Sequence, residues 1–301
     1  MSDLSLRFRN FYSGFNVTNN FFINCLKSTG LKVNLVTNPF GKVDLQITGP
    51  FESKLAKHVV GRFQTTDRKN RQNRSLWNAQ HQVFYTGENV RPPFDSKYIK
   101  TFSFDEDSFN GRNTYFPLWM FEIDWFDSNL RMSRLNRVLK PEMLTQKRSW
   151  PSGKPNAMCA FIGNAEPIRL EAINEFNKYI QVAVYGRFGN KYVKDKLEVS
   201  KEFTWNLCFE NDLYPGYVTE KILEAYLCGN IPIYRGILPK KSPFNSSSYI
   251  NVMDFASISE SAKFLSNLRE SEIIDIFQEP LMKSVPDISQ IRLDLLTCLS
   301  R

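Results

Sequence analysis

The chain has 301 residues, 42% of them hydrophobic and 14% aromatic, which is enough apolar material for one large or two mid-sized domains. No run approaches the ~18 apolar residues of a membrane span, and the opening Met1-Ser2-Asp3-Leu4-Ser5-Leu6-Arg7 has no apolar leader core, so the sequence is read as that of a cytoplasmic protein. Lys and Arg number 39 against 31 Asp and Glu, a formal charge of +8; this favours anionic partners such as nucleotides, phosphoglycans, nucleic acid or membrane surfaces without choosing among them.

In chain order, Lys32 to Thr37, Asp44 to Thr48, Gln82 to Thr86 and Tyr98 to Phe104 are short apolar runs closed by turn residues such as Gly49-Pro50 and Gly87, and they predict strands. Between the second and third lies a basic segment, Arg62 to Gln82, with Arg62, Arg68, Lys69, Arg71 and Arg74 and Asp67 as its only acid. It is either a clamp on an anionic acceptor or a solvated helix or loop. Lys147 to Pro155, with two prolines and a glycine, reads as an interdomain linker. It sets domains at 1–150 and 151–301, the last helix being free to pack back on the first. After it, Met158 to Ile162 predicts a strand. Ile168 to Tyr179 predicts a helix with Leu170, Ile173 and Phe176 on one side, and Gln181 to Val184 another strand. Phe203 to Phe209 alternates, with Phe203, Trp205, Leu207 and Phe209 on one face. Thr219 to Leu227 predicts a helix that Thr219 can cap and Gly229 can end, and Ile231 to Tyr234 the next strand. Two successive α/β series predict two nucleotide-fold-like domains facing a cleft.

Other chemistries find less support. The five cysteines, Cys25, Cys159, Cys208, Cys228 and Cys298, are odd in number and form no Cys-x-x-Cys pair, which fits a reducing compartment rather than a disulfide framework. With only His58 and His81 besides, no zinc cluster is expected. Sequons at Asn16, Asn73 and Asn245 matter only in a secretory pathway.

The most informative stretch is Phe209-Glu210-Asn211 followed by Gly216-Tyr217-Val218-Thr219-Glu220-Lys221-Ile222. It reads as a strand, a loop and a helix start. Ligands in open α/β sheets bind beyond the carboxyl ends of strands, and a helix start there offers N–H groups to a phosphate. Lys221 adds a mobile charge, and Tyr217, four residues earlier, can share its side of the first turn. Glu220, an acid beside a diphosphate, fits there by gripping sugar hydroxyls. The residues alone leave two readings open, a nucleotide-diphosphate cradle and an ordinary helix cap with a surface Lys–Glu pair.

This block, with Ile231-Pro232-Ile233-Tyr234 after it, resembles the α-1,3/4-fucosyltransferases of family 10, especially the bacterial ones. Pro167-Ile168-Arg169 after Cys159-Ala160-Phe161, and Val83-Phe84-Tyr85-Thr86-Gly87-Glu88-Asn89 with Phe104-Asp105-Glu106 beyond it, extend the resemblance from about Phe84 to about Phe255. It implies a GT-B fold of two Rossmann-like domains, the first binding the acceptor and the second GDP-fucose. It implies that Arg169 and Lys221 neutralise the pyrophosphate, that Tyr217 and Asn211 shape the nucleotide pocket with Val218 and Thr219 beside them, and that Glu220 holds ribose or fucose hydroxyls. Glu88 would be the general base. The expected reaction is metal-independent, inverting α-1,3-fucosyl transfer to N-acetylglucosamine or glucose in a glycan such as a lipopolysaccharide, with no cofactor and no nucleic-acid partner. Basic residues leave room for peripheral contact with a membrane. The sequence departs from the family pattern at Arg235, where many bacterial members have Trp, and in the Gly186 to Asn190 loop.

Two rivals remain. Asp105-Glu106-Asp107 is a formal Asp-x-Asp, which would suit a metal-dependent transferase using another nucleotide sugar. The charge and the Arg62 to Arg74 run would suit a non-catalytic glycan- or nucleic-acid-binding protein, with Trp77 and Phe84 nearby as aromatics.

Overall fold

The computed structural model of the chain describes residues 3–51, 78–93, 97–132 and 134–300. The basic residues Arg62, Arg68, Lys69, Arg71 and Arg74, with Asp67 and Trp77, lie outside them. The chain forms two compact units, Met1–Leu130 with Asp287–Arg301, and Arg131–Pro286. Residues 131–150 therefore sit with the second unit, and the terminal helix sits with the first, where it contacts β6 and α1 of the elements given below.

The first unit holds a six-stranded sheet of β1 (Asp3–Arg9), β2 (Lys32–Leu35), β3 (Val43–Thr48), β4 (Ala79–Thr86), β5 (Lys100–Ser103) and β6 (Asn113–Tyr115). Every pairing is parallel and the order is β2-β1-β3-β4-β5-β6. The strands expected at residues 32, 44, 82 and 98 all form, within a few residues at their ends. β1 and the helix α1 (Phe21–Lys27) had no sequence assignment. That helix starts at Asn20, whose side chain accepts from the Ile23 amide at 3.1 Å. Its Phe21 and Phe22 are fully buried, and Phe22 meets the rings of Tyr85, Phe102, Phe116 and Phe121. The core of this unit is thus largely aromatic.

The second unit is built on β7 (Met158–Phe161), β8 (Val182–Tyr185), β9 (Trp205–Phe209), β10 (Ile231–Arg235) and β11 (Ile250–Asn251), again all parallel, in the order β11-β10-β9-β7-β8. Its helices that bear on the site are α3 (Pro167–Asn177), α4 (Lys196–Ser200) and α5 (Lys221–Leu227), with α6 (Ile258–Ser266) and α7 (Glu270–Gln278) after them; α2 (Leu118–Phe121) and the terminal α8 (Ser289–Thr297) belong to the first unit. β9 is buried along its whole length. Its alternation does not divide core from solvent, because both faces of a parallel sheet are covered. Thr204, Asn206 and Cys208, opposite the apolar row, are as buried as Trp205 and Leu207.

Two further expectations shift. The buried row of α3 is Arg169, Ala172 and Phe176, whereas Leu170 and Ile173 are half-buried. Arg148, in the segment read as a linker, is anchored inside the second unit. Its guanidinium donates to the carbonyls of Phe277, Tyr226 and Asn230 at 2.9–3.0 Å and is sandwiched by the Tyr226 and Phe277 rings. The segment Lys147 to Pro155 lies within the second unit.

Candidate functional site

β7 is followed by β8 on one side of it and β9 on the other. The order of the strands reverses at β7, with β8 added on one side and β9 to β11 on the other, and the switch point between β7 and β9 is where an open parallel sheet leaves a crevice at its carboxyl end. A cavity of about 210 Å³ lies there. Phe161 to Asn164, after β7, and Phe209 and Asn211, after β9, form its walls, with Arg134, Arg169, Lys196 and Lys221. Among the described residues lining it, these four are cations and none is a carboxylate. A cavity walled in this way attracts an anion and holds it without reorganising.

Each cation is fixed by the local fold. Pro167 opens α3 and puts Arg169 in its first turn. The Arg169 guanidinium donates to the Asn164 carbonyl at 3.2 Å, the Phe209 carbonyl at 3.2 Å and the Asn211 side-chain oxygen at 2.6 Å. It thus bridges the loops after β7 and β9 instead of pairing with Glu166 or Glu171.

Lys221 is held by Glu210, the last buried residue after β9. The Glu210 carboxylate accepts from the Thr219 amide and hydroxyl, each at 2.7 Å, from Lys221 Nζ at 3.2 Å and from the Tyr234 hydroxyl at 3.2 Å. The Thr219 hydroxyl in turn accepts from Lys221 at 2.8 Å. This arrangement corrects the expected cap. The helix begins at Lys221 with Glu220 in the capping position, and Thr219 is spent on Glu210. The cradle draws its charge from side chains rather than from a capped helix terminus.

Behind the wall, Glu220 and Glu224 are buried one turn apart on α5. Arg134 lies 3.1 Å from Glu220, and Lys196 pairs with Glu224. Burial pushes the Glu220 carboxyl up, but the charges of Lys221 and Arg134 outweigh it and leave the group below its ordinary value. For Glu224, burial wins over Lys196, with Glu220 adding to the rise, and the carboxyl sits above its ordinary value. Burial depresses the Lys221 ammonium, but Glu210 and Glu220 reverse that and raise it, so Lys221 stays charged at neutral pH.

Of the residues singled out from the sequence, the structure brings Arg169, Asn211 and Lys221 to one cavity. Thr219 and Glu220 lie directly behind it. Tyr217 and Val218 are buried at 1% and 0% exposure and are not among the cavity's described lining residues; Tyr217 precedes α5 rather than sharing its first turn. Glu88 belongs to the first unit, half-buried just past the end of β4, where its carbonyl accepts from the Thr86 hydroxyl at 3.0 Å and the Val90 amide at 2.6 Å. Asp105 pairs with Arg91 at 2.5 Å, and the carboxylates of Asp105 and Asp107 accept from amides two residues on. The Asp-x-Asp thus shapes a turn. Sequence reasoning gave no role to Glu210, which stood inside the quoted Phe-Glu-Asn, nor to Arg134, Lys196 and Glu224. An acid closing an apolar strand was the available signal for Glu210; Arg134 lies too far along the chain from the motif for spacing to reveal it.

Residues 151–274 match the family model described as "Glycosyltransferase family 10 (fucosyltransferase) C-term". The chain is 29% identical over 230 residues to an alpha-(1,3)-fucosyltransferase of Helicobacter pylori, the match covering 66% of this chain. It spans about half the length of that relative, 47%. Among solved structures, an alpha1,3-fucosyltransferase superposes with a TM-score of 0.72 at 23% identity, covering 99% of this chain and 90% of the other. An alpha1,3-fucosyltransferase solved with GDP-fucose superposes at 0.68 and 22% identity, over the same shares. Residues 151–274 are thus similar to the C-terminal domain of glycosyltransferase family 10, the fucosyltransferase family, and the chain has the GT-B fold of two parallel-sheet α/β domains.

Proposed function

We propose that the protein is an inverting α-1,3-fucosyltransferase, moving L-fucose from GDP-β-L-fucose to O3 of an N-acetylglucosamine or glucose unit in a glycan, without a metal. The observation that carries the reading is the cation-walled cavity at the β7–β9 switch point, which falls within the family 10 domain and gathers Arg169, Asn211 and Lys221. The diphosphate of the donor is the anion it suits. Glu220, buried behind the wall and paired with Arg134, supports the pocket from behind together with Tyr217, Val218 and Thr219 instead of gripping hydroxyls of the donor. Five buried cysteines that remain thiols suit a cytoplasmic setting.

In the reaction the acceptor hydroxyl attacks the anomeric carbon from the face opposite GDP. The new C–O bond forms as the bond to the β-phosphate oxygen breaks, through an oxocarbenium-like transition state. Glu88 takes the hydroxyl proton, a contribution of ~10²–10⁴ in rate. Arg169 and Lys221 stabilise the charge growing on the leaving diphosphate, the electrostatic task that a metal performs elsewhere. Glu88→Gln is expected to bind GDP as the wild type does and to lose transfer by that factor. Weak GDP binding by this variant would move Glu88 from catalysis to structure.

The test is calorimetric titration with GDP, GDP-fucose, UDP and GDP-mannose in EDTA. Guanine-selective binding without metal supports the reading. Absence of GDP binding, or binding only when a divalent ion is restored, would overturn it.

A further inference from the structure

We propose that Lys196 is a third direct ligand of the donor's diphosphate, beside Arg169 and Lys221, and that the buried carboxylate of Glu224 holds it for that task. The inference rests on the donor reading above and names a residue that reading does not contain.

Lys196 opens α4, and the carboxylate of the preceding residue fixes its position, since Asp195 accepts from the amides of Leu197 and Glu198 at 2.9 and 3.3 Å. The side chain lines the same cavity as Arg169 and Lys221. Its ammonium stands 4.9 Å from the centre of the Phe161 ring, another wall residue. An ammonium has three N–H donors. Among the described residues, Lys196 spends one, on Glu224. The Phe161 face can engage a second, which leaves at least one N–H for a ligand.

The exposures point the same way. The Glu224 side chain is 2% exposed and that of Lys196 is 20%. The acid is sealed behind the cavity while the base reaches its surface, an asymmetry that a purely structural ion pair does not need. Lys221 repeats the design, at 16% exposure in front of a Glu210 side chain at 0%. Charge decides the matter further. The cations Arg134, Arg169, Lys196 and Lys221 face the buried acids Glu210, Glu220 and Glu224, an excess of one positive charge. Lys196→Met alone leaves a neutral set for a dianionic group, whereas loss of Lys196 together with Glu224 keeps the excess, so weak binding by the double variant reports the direct contact and not the net charge.

The test uses the full chain and three variants, Lys196→Met, Lys196→Arg and the pair Lys196→Met/Glu224→Gln. The pair removes both charges, so it separates loss of anion binding from misfolding caused by an orphaned carboxylate. Each is titrated with inorganic pyrophosphate and with GDP, and thermal melting reports the fold. We expect both Met variants to bind either ligand about tenfold or more weakly, the scale of one charge-assisted hydrogen bond, and Lys196→Arg to recover most of the loss. Folded Met variants with affinities unchanged from the wild type would overturn the role of Lys196 and leave the donor site standing. A wild type that binds pyrophosphate through Lys196 but ignores GDP would keep the anion ligand and sink the guanine-nucleotide reading. Binding of neither ligand by the wild type sinks both.

Discussion

Glu210 carries the most interactions of any carboxylate around the cavity, and none of them is solvent. It orders the Thr219 backbone, the Thr219 hydroxyl, Lys221 and Tyr234 at once. Removing one partner of a buried ion pair costs about 3–5 kcal/mol, because the other charge stays buried alone. Glu210→Gln is therefore expected to lower the melting temperature by roughly 5–15 °C and to weaken GDP binding, since Lys221 loses its anchor. A thermal melt with and without GDP reads both effects. Arg134 gives a pH signature. After Lys221 it is the strongest of the cations that outweigh burial and hold Glu220 below its ordinary value. A depressed carboxyl stabilises the fold above its ordinary range, and that contribution fades as pH falls through the depressed value. In Arg134→Ala the Glu220 titration, followed by carboxyl-carbon NMR, is expected to move up, and the fade to begin at higher pH.

At the scale of the element, the sites hang on strand ends. Glu88 follows Gly87, and a β-carbon added at Gly87 would stand 2.7 Å from the Tyr85 hydroxyl and 2.8 Å from Leu118 Cβ. Gly87→Ala must therefore shift the end of β4 or the start of α2, at a cost of about 1–3 kcal/mol. We expect transfer to fall in steady-state assays while GDP titration stays at the wild-type value, because the cavity belongs to other strands. These strand ends were the most legible part of the sequence. Every strand expected from an apolar run followed by a turn formed, and the signal is strongest where both faces are buried, as along β9. Helix faces were less legible. The α3 pattern pointed to Leu170 and Ile173, but tertiary hydrogen bonds at the β7 and β9 loops draw Arg169 inward and rotate the buried row. Of the cavity's cations, Arg169 and Lys221 were readable because a motif surrounds them. Lys196 and Arg134 were not, because their positions depend on acids far away in the chain.

For the whole molecule, the compact units are Met1–Leu130 with Asp287–Arg301 and Arg131–Pro286, and the segment read from its composition as a linker lies in the second, where Arg148 is anchored. The terminal helix α8 (Ser289–Thr297) lies in the first. Its Asp294 accepts from Lys100 at 3.0 Å and Thr114 at 2.5 Å, tying the end of the chain to β5 and β6. Asp294→Ala leaves the Lys100 ammonium, on a side chain that is 11% exposed, without its carboxylate and bonded to the Gly111 carbonyl at 2.9 Å. It is expected to lower stability by about 1–3 kcal/mol in urea unfolding, with GDP affinity intact, since the cavity lies in the second unit. Among the described residues no helix is long and apolar enough to cross a membrane.

The first unit is assembled from both ends of the sequence, with residues 131–286 forming the second unit between them. During synthesis that order becomes a delay. At 5–20 residues per second, the ribosome spends roughly ten to thirty seconds on the intervening segment before it can release α8. Throughout that interval the first sheet waits without its closing helix, and the face of β6 and α1 that α8 will cover stays open to chaperones. The second unit has all its strands in one continuous stretch and can close first. The unit that holds the cation-walled cavity is thus expected to mature before the unit that carries Glu88.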